Sequence, residues 1–349
     1  MQALVLAGGE GTRLRPLTYT TPKAVMPLAG RPFLSFMLDW LHSHGVDDVV
    51  LSCGFLSGDV RRVLGDIYQG MRLRYVVEDE PLGTAGPVRL ALDEGILAER
   101  LVITNGDVLT DLDLSAEVAW HEERGAGATL GLVEVDDTTS YGVVPTNADG
   151  LVERFIEKTS GPVPTNRINA GVYVVEREVI EGIPSGRAVS FEREVFPVLA
   201  GDSLYGYHAE SPYWLDIGTP ERYLEGTWDL LAGRVDSTLP ARDETGSLVF
   251  EGAVVAGAHV GPQTVLGRSC WVGTDARVER SVLHDRVVVG ADATVTESVL
   301  GERVRVGEGA RIGPGAMIGA GATIGEGAKV AEGARVDPDE VVAGTAAAG

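Results

Sequence analysis

The sequence contains few of the residues on which several classes of protein depend. It has only two cysteines, Cys53 and Cys270, in 349 residues. A disulfide framework is therefore not expected. We expect a reducing, cytoplasmic environment instead. No apolar run approaches the roughly 18–20 residues that a membrane span needs. The apolar residues 2–7 follow no basic segment or cleavage site, so we expect a buried strand there and not a signal peptide.

Positive charge is also scarce. The net charge is −22, from 29 basic and 51 acidic residues. Such a surface repels nucleic acid and anionic lipid, so we expect neither a nucleic acid nor a membrane as a partner. Of the 29 basic residues, 26 are arginines and only three are lysines, namely Lys23, Lys158 and Lys329. A lysine retained against that bias indicates a position where a compact ammonium group is needed.

Two stretches of different periodicity divide the sequence. Residues 1–233 alternate apolar segments with amphipathic ones. The segments that predict strands are 3–7, 48–53, 73–77 and 101–105, and those that predict helices are 32–44, 59–68 and 84–97. This alternation predicts an α/β domain with a doubly wound, mainly parallel sheet that binds ligands at the carboxyl ends of its strands. Residues 234–247 are polar and contain proline and glycine, which predicts a linker.

Residues 248–349 follow a six-residue period. An aliphatic residue recurs at that spacing, usually with a glycine three positions and an alanine two positions before it. The clearest aliphatic positions are Val306, Ile312, Ile318, Ile324, Val330 and Val336. This period predicts a parallel β-helix in which one aliphatic side chain of each short strand points inward. The repeats resemble the hexapeptide-repeat family, which implies a left-handed β-helix. We expect a homo-oligomer that assembles through this domain.

The residues at the end of the first predicted strand and directly after it are suited to binding phosphate. They are Leu6, Ala7, Gly8, Gly9, Gly11, Thr12 and Arg13. Three glycines in four positions let backbone N–H groups approach phosphate oxygens with no Cβ in the way. Arg13 and the nearby Lys23 supply positive charge for a polyphosphate. The spacing matches neither the Walker A loop nor G-x-G-x-x-G, so those two motifs do not apply.

The run from Leu6 to Pro16, followed by Pro22 and Lys23, resembles the signature of the sugar-1-phosphate nucleotidyltransferases. The resemblance extends over nearly the whole chain. Further blocks occur in the family's order at residues 78–86, 105–108, 141–144, 157–158, 169–173, 191–197 and 214–220. It implies an enzyme that joins a nucleoside triphosphate to a sugar 1-phosphate and releases pyrophosphate. The blocks and the appended repeats look most like the members that use GTP and mannose 1-phosphate.

The resemblance also implies a metal and a catalytic strategy. Asp107 and Asp216 each follow an apolar stretch, and two carboxylates with phosphate oxygens are what Mg²⁺ usually takes from a protein. We expect both to be Mg²⁺ ligands. Arg13 and Lys23 are expected to neutralise the triphosphate. Catalysis then consists of positioning and charge neutralisation, without a covalent enzyme intermediate.

Four residues are expected to bind the sugar phosphate. An ammonium suits a phosphate, so Lys158 is assigned to the phosphate group of the sugar phosphate. A carboxylate and an amide suit hydroxyl groups, so Glu157 and Asn169 are assigned to the sugar, together with the backbone of Gly142.

The block at residues 78–86 resembles the family's base-binding loop, and Glu78, Pro81 and Gly83 are its candidate contacts. Guanine offers two adjacent donors, N1–H and the N2 amino group, which an ionised carboxylate can accept. Thymine and uracil offer one donor between two acceptors, which a carboxylate repels. Glu78 therefore predicts GTP as the substrate. The alternative is that Glu78 is a solvated loop residue and that the backbone of Gly83 reads the base.

Two other functions remain open at this point. One is a thymidylyltransferase that acts on glucose 1-phosphate. The other is a catalytically inactive, regulatory relative that binds a nucleotide sugar. A regulatory protein is expected to have lost Arg13, Lys23 or one of the two aspartates, and all four are present. The sequence does not fix the sugar, the size of the oligomer or an effector.

Overall fold

The computed structural model describes residues 1–54, 56–156, 158, 161–210 and 212–344. These residues form two compact units, and neither unit is continuous in sequence. The first contains Met1–Gly9 and Leu34–Leu215, and the second contains Glu10–Phe33 and the described residues from Asp216 onward. The predicted domains at 1–233 and 248–349 follow chain order, whereas residues 10–33 pack with the C-terminal part. Those predicted boundaries remain a prediction.

The strands that precede the repeats are mostly short. They are β1 (Gln2–Leu6), β2 (Pro27–Leu28), β3 (Arg31–Pro32), β4 (Asp48–Cys53), β5 (Ile67–Tyr68), β6 (Met71–Val77), β7 (Arg100–Asn105), β8 (Val108–Thr110), β9 (Ala128–Glu134), β10 (Arg167–Glu176), β11 (Leu204–His208) and β12 (Trp214–Asp216). Eight of them form one sheet in the order β11-β9-β10-β7-β1-β4-β6-β5. β1 runs parallel to β4 and β7, and β10 runs antiparallel to both of its neighbours. The α/β class is confirmed, with a sheet that is mixed.

Seven α-helices accompany these strands in the described part of the chain. They are α1 (Phe33–Ser43), α2 (Ser57–Leu64), α3 (Gly86–Asp93), α4 (Leu114–Arg124), α5 (Arg177–Glu181), α6 (Phe196–Leu199) and α7 (Pro220–Ala232). A single turn of π-helix, Phe191–Val195, precedes α6. None of the described helices has the length and apolar character needed to cross a membrane.

The helix predicted at 59–68 ends earlier than expected. Gly65 ends α2 with a φ of 74°, and its N–H donates to the Arg61 carbonyl. Glycine adopts that conformation at little cost, and it therefore ends helices readily. The chain then turns into β5, which pairs antiparallel with β6.

The core of the first unit forms around the centre of the sheet. Leu4, Val50 and Ile103 from adjacent parallel strands are fully buried in it. The rings of Tyr173 and Phe191 pack on Phe196, with ring centroids 5.1 and 5.2 Å from that of Phe196. These aromatic side chains fill the space beside the sheet. The same sheet positions the polar residues described below.

The C-terminal strands are consistent with a left-handed β-helix. They are β13 (Leu248–Val249), β14 (Val254–Val255), β15 (His259–Val260), β16 (Val265–Leu266), β17 (Trp271–Val272), β18 (Arg277–Glu279), β19 (Val282–Leu283), β20 (Val288–Val289), β21 (Thr294–Thr296), β22 (Val299–Leu300), β23 (Arg305–Val306), β24 (Arg311–Ile312), β25 (Met317–Ile318), β26 (Thr323–Ile324), β27 (Lys329–Val330), β28 (Arg335–Val336) and β29 (Val341–Val342). They form three parallel sheets, each containing every third strand. The aliphatic residues of the six-residue period are buried in the interior, as predicted.

The corners between these strands use two solutions. In the later turns of the β-helix, glycines of the six-residue period such as Gly309 and Gly321 adopt a positive φ. Earlier corners place Ser269, Asp275 and Asp292 in the same left-handed region. The left-handed conformation costs a residue with a Cβ roughly 1 kcal/mol, so packing around these corners must hold these residues in place.

Candidate active site

In the first unit, the glycine-rich run begins at the carboxyl end of β1. The N–H of Ala7 donates to the Ser52 carbonyl at 2.8 Å, and the N–H of Gly106 donates to the Leu6 carbonyl at 2.8 Å. These bonds hold the start of the run between the ends of β4 and β7. The carboxyl ends of parallel strands are the expected position of a ligand site in a sheet of this kind.

Glycine is required where this run meets its neighbours. A Cβ on Gly8 would lie 2.6 Å from Oε1 of Glu78, and a Cβ on Gly54 would lie 2.8 Å from the Gly8 carbonyl oxygen. Both distances are shorter than any normal contact. A side chain at Gly54 would press on the backbone of Gly8, and a side chain at Gly8 would displace the Glu78 carboxylate. The structure thus brings Gly8 and Glu78, two predicted nucleotide-binding residues, into contact.

Glu78 is held by bonds to both of its carboxylate oxygens. Ser52 Oγ donates to Oε1 at 2.6 Å, and the N–H of Leu82 donates to Oε2 at 3.0 Å. These bonds fix the start of the predicted base-binding loop. Pro81 and Gly83 in that loop are exposed. A carboxylate oxygen accepts more than one bond, so Glu78 retains acceptor capacity for a base.

Two of the predicted sugar-binding residues lie together. The N–H of Asn169 donates to the Gly142 carbonyl at 3.0 Å. The Asn169 side chain is fixed at both ends, because Nδ2 donates to the Tyr173 hydroxyl at 2.9 Å and Oδ1 accepts from the Gly171 N–H at 2.9 Å. The pairing of β10 with β9 is irregular between Asn169 and Tyr173. Such an irregularity redirects side chains and is common beside active sites.

Asp107 is half-buried in the turn between β7 and β8. The irregular part of β10 that holds Asn169 approaches the carboxyl end of β7, since a Cβ on Gly171 would lie 2.6 Å from Nδ2 of Asn105. Burial raises the pKa of Tyr173 well above its usual range, and the Glu192 and Asp107 charges add to that increase. Asp107, Asn169 and Gly142 therefore share one region of the first unit.

A network around Glu192 was not predicted from the sequence. Thr84 Oγ1 donates to Glu192 Oε2 at 2.8 Å, and Ser190 Oγ donates to the same oxygen at 2.6 Å. The N–H of Phe191 in turn donates to Thr84 Oγ1 at 2.8 Å. The block at 191–197 resembles the family, but the sequence alone assigns no role to any residue in it. The signal that could have found Glu192 is a carboxylate placed next to a buried aromatic core.

In the second unit, the remainder of the glycine-rich run folds back on itself. Gly11 has a φ of +62°, and a Cβ there would lie 3.1 Å from Thr18 Cγ2 and 3.2 Å from Lys23 Cβ. Thr18 Oγ1 also donates to the Gly11 carbonyl at 2.8 Å. The fold therefore brings Gly11 next to Lys23, which is half-buried, while Thr12 and Arg13 are exposed.

Gly218 lies between two predicted site residues of the second unit. A Cβ on Gly218 would lie 2.5 Å from Nη2 of Arg13 and 3.0 Å from Oδ1 of Asp216. The guanidinium group and the carboxylate thus converge on one point, and a Cβ at residue 218 would displace the guanidinium group from its present position. Sequence reasoning included Gly218 in the block at 214–220 but did not select it.

The predicted site residues divide between the two units. The first unit contains Leu6, Ala7, Gly8, Gly9, Glu78, Pro81, Gly83, Asp107, Gly142, Lys158 and Asn169, and the second contains Gly11, Thr12, Arg13, Lys23 and Asp216. Lys158 is exposed, and Glu157 lies outside the described residues. Within the described part of the chain, no three His, Cys, Asp or Glu side chains form a metal-binding group. Asp107 and Asp216 are half-buried oxygen donors, which suits a hard cation that takes its other ligands from phosphate and water.

Comparison with known proteins bears on both parts of the chain. Residues 2–233 match the nucleotidyl transferase family, and residues 237–321 match the family described as GlmU-like, C-terminal hexapeptide. The chain is 40% identical over 292 residues to mannose-1-phosphate guanylyltransferase of Mycobacterium tuberculosis, which covers 82% of this chain and 80% of that protein. It is 34% identical over 282 residues to mannose-1-phosphate guanyltransferase of Schizosaccharomyces pombe, covering 77% of this chain and 74% of that protein. Among solved structures, HddC from Yersinia pseudotuberculosis complexed with GMP-PN is similar with a TM-score of 0.55 and 30% identity, covering 64% of this chain and 97% of that one.

Proposed function

The chain belongs to the nucleotidyl transferase family, and from that premise we propose that it transfers the guanylyl group of GTP to mannose 1-phosphate. The products are GDP-mannose and pyrophosphate. The observation that carries this proposal is the similarity to proteins named for this reaction at 34–40% identity over most of both chains. The family match covers residues 2–233, which contain the blocks in which the predicted site residues lie.

The reaction is an in-line displacement at phosphorus. A phosphate oxygen of the sugar phosphate forms a bond to the α-phosphorus of GTP, and the bond from that phosphorus to the oxygen bridging to the β-phosphorus breaks. Pyrophosphate carries the electron pair of that bond away. Charge builds up on the phosphate oxygens in the transition state, so fixed positive groups lower the barrier. Arg13 and Lys23 are proposed to neutralise the triphosphate, and Lys158 to hold the phosphate of mannose 1-phosphate.

Nucleotidyltransferases of this family generally use a divalent metal. We propose Mg²⁺ as the metal and Asp107 and Asp216 as its protein ligands, because both side chains offer hard oxygen donors. When bound, the ion would offset negative charge on the phosphates.

The sugar is proposed to be oriented by Asn169, Gly142 and Glu157. The Asn169 side chain is already fixed by the bonds to Tyr173 and Gly171 described above. A side chain that is fixed in advance loses less conformational entropy when a ligand binds, which favours precise orientation of a hydroxyl group.

The proposal is tested by measuring pyrophosphate release with GTP, dTTP, UTP and ATP, each against mannose 1-phosphate and glucose 1-phosphate. We expect the highest kcat/KM for GTP with mannose 1-phosphate. A preference for dTTP with glucose 1-phosphate would replace this function with thymidylyl transfer. Binding of a nucleotide sugar without turnover in any combination would indicate a regulatory protein and overturn the proposal.

A homo-oligomer formed through the β-helix remains part of the proposal. Support comes from apolar side chains on one sheet of the β-helix, where Val254, Val255 and Trp271 are 49%, 40% and 40% exposed. Covering such side chains is a common function of a subunit interface. Light scattering by the full chain measures the assembly size, and a monomer at micromolar concentration would contradict this part. The expected cytoplasmic location also stays a prediction.

A further inference from the structure

The segment at residues 10–33 has little regular structure of its own. It contains single 3-10 turns at Thr12–Leu14, Leu17–Tyr19 and Lys23–Val25, and one short pair of strands, β2 and β3. Short 3-10 turns have poor hydrogen-bond geometry and do not hold a chain in place. The segment nevertheless contains Arg13 and Lys23, whose positions matter for the proposed chemistry. Contacts from outside the segment must therefore fix it.

A first contact comes from α7. The hydroxyl of Tyr223 donates to the carbonyl of Pro27, four residues after Lys23. Tyr223 is 1% exposed, and His284 Nε2 of the β-helix lies 3.2 Å from the same hydroxyl. The phenol is therefore enclosed between the segment and the β-helix, and the Pro27 carbonyl has a buried donor.

A second contact lies on the other side of Lys23. The guanidinium group of Arg335, on β28, donates to the carbonyl of Arg15. Arg335 is itself exposed, so its loss removes a bond without opening the core. The contacts at Arg15 and Pro27 thus bracket Lys23 in sequence, with a donor from the C-terminal part of the chain on each side.

Two more contacts follow towards the end of the segment. A Cβ on Gly30 would overlap the ring of Phe250, so the backbone there lies directly on that ring. Arg31 Nη1 donates to the Thr238 carbonyl at 2.7 Å. Every contact described here comes from residues between α7 and β28, and all belong to the same compact unit as the segment.

We propose that Tyr223 and Arg335 are positioning residues, which hold the segment on either side of Lys23 in the geometry that binds the triphosphate. This inference rests on the proposed role of Arg13 and Lys23. It gives the C-terminal part of the chain a function in nucleotide binding, which it performs through the backbone of the segment. The sugar phosphate is bound by residues outside this segment, so the effect on the two substrates differs.

The test uses two variants of the full chain, each with a matched control. Tyr223→Phe removes only the hydroxyl, and its control is Tyr75→Phe, which removes a phenol that donates to the Gly65 carbonyl away from the segment. Arg335→Met is paired with Arg311→Met, an exposed arginine on β24. Steady-state kinetics then give KM for the triphosphate and for the sugar phosphate separately. Hydrogen exchange of backbone amides at residues 11–28 is measured on the same proteins without substrates.

We expect Tyr223→Phe and Arg335→Met each to raise KM for the triphosphate about fivefold or more, because each variant loses one hydrogen bond that anchors the segment. KM for the sugar phosphate should stay within about twofold of the wild-type value, and Arg335→Lys should restore much of the loss. Amides at 11–28 should exchange faster in both variants and not in the controls.

The inference is overturned if both variants match their controls in the KM for the triphosphate and in amide exchange at residues 11–28. It is also overturned if the KM for the triphosphate and the KM for the sugar phosphate rise equally. If the wild-type protein releases no pyrophosphate with any substrate pair, the proposed function fails. Exchange at 11–28 and direct binding of GTP then decide this inference separately.

Discussion

Adding one methyl group at Gly218 should separate activity from stability. In Gly218→Ala the new Cβ would lie 2.5 Å from Nη2 and 2.9 Å from Cζ of Arg13, and 3.0 Å from Oδ1 of Asp216. Normal carbon contacts begin near 3.5 Å, so the guanidinium group must retreat by about 1 Å. The tip of an exposed arginine moves at little cost, and we expect the melting temperature to change by no more than about 2 °C.

The same displacement should be costly for turnover. A shift of about 1 Å in a catalytic group can lower the rate about 100-fold, so we expect kcat/KM for pyrophosphate release to fall by that order. The control is Gly58→Ala on α2, which adds the same methyl group where nothing lies within 4 Å. Wild-type kcat/KM in Gly218→Ala would refute the placement of Arg13 in the reaction. A large loss of stability would refute the argument that only side-chain tips have to move.

Three further results are expected. Asp107→Asn and Asp216→Asn should each lower kcat about 100-fold or more at an unchanged melting temperature, because charge is lost and volume is kept, and near-normal turnover in Mg²⁺ would contradict the metal assignment. Glu78→Gln should reduce the preference for GTP over dTTP, measured as a ratio of kcat/KM values, by about fivefold or more. An equal rise in KM for both nucleotides would mean that Glu78 only holds its loop. Burial lowers the pKa of His284 from 6.5 to about 4. Between these two pH values the unfolded state binds more protons than the folded state does. The free energy of unfolding therefore falls as the pH drops below 6.5. Between pH 6.5 and 5 this loss is about 2 kcal/mol. His284→Gln should therefore show a flatter dependence of melting temperature on pH, and parallel profiles would argue against this cause.

Much of the fold follows from local pattern. The strand predicted at 48–53 agrees with β4 at both ends, because the apolar run at 49–51 forms its buried centre and leaves little freedom in its limits. The six-residue period likewise locates the strands of the β-helix, because each strand places one aliphatic residue of the period in the interior. The predicted helix at 59–68 was wrong at its end, since the apolar spacing continues past Gly65 while the backbone turns there.

Other features depend on tertiary packing that no local pattern contains. Glu117 lies on α4 between Leu114 and His121, and all three are buried. A glutamate on a helix is normally expected on the solvated face. Burial of the Glu117 carboxyl raises its pKa well above the usual range. The surroundings of Gly218 and Glu192 could not be predicted for the same reason, because Arg13 and Thr84, which lie against them, are distant in sequence.

The discontinuous second unit has a consequence for how the protein is made. Residues 10–33 leave the ribosome before Tyr223, Phe250 and Arg335, which hold them and are synthesised roughly 200–300 residues later. At about 5–20 residues per second, that delay is on the order of 10–60 seconds. During that interval the segment at residues 10–33 lacks these contacts, while most of the residues of the first unit have already emerged. The nascent chain can therefore fix this segment only after the residues that hold it have emerged, although the segment is translated well before them.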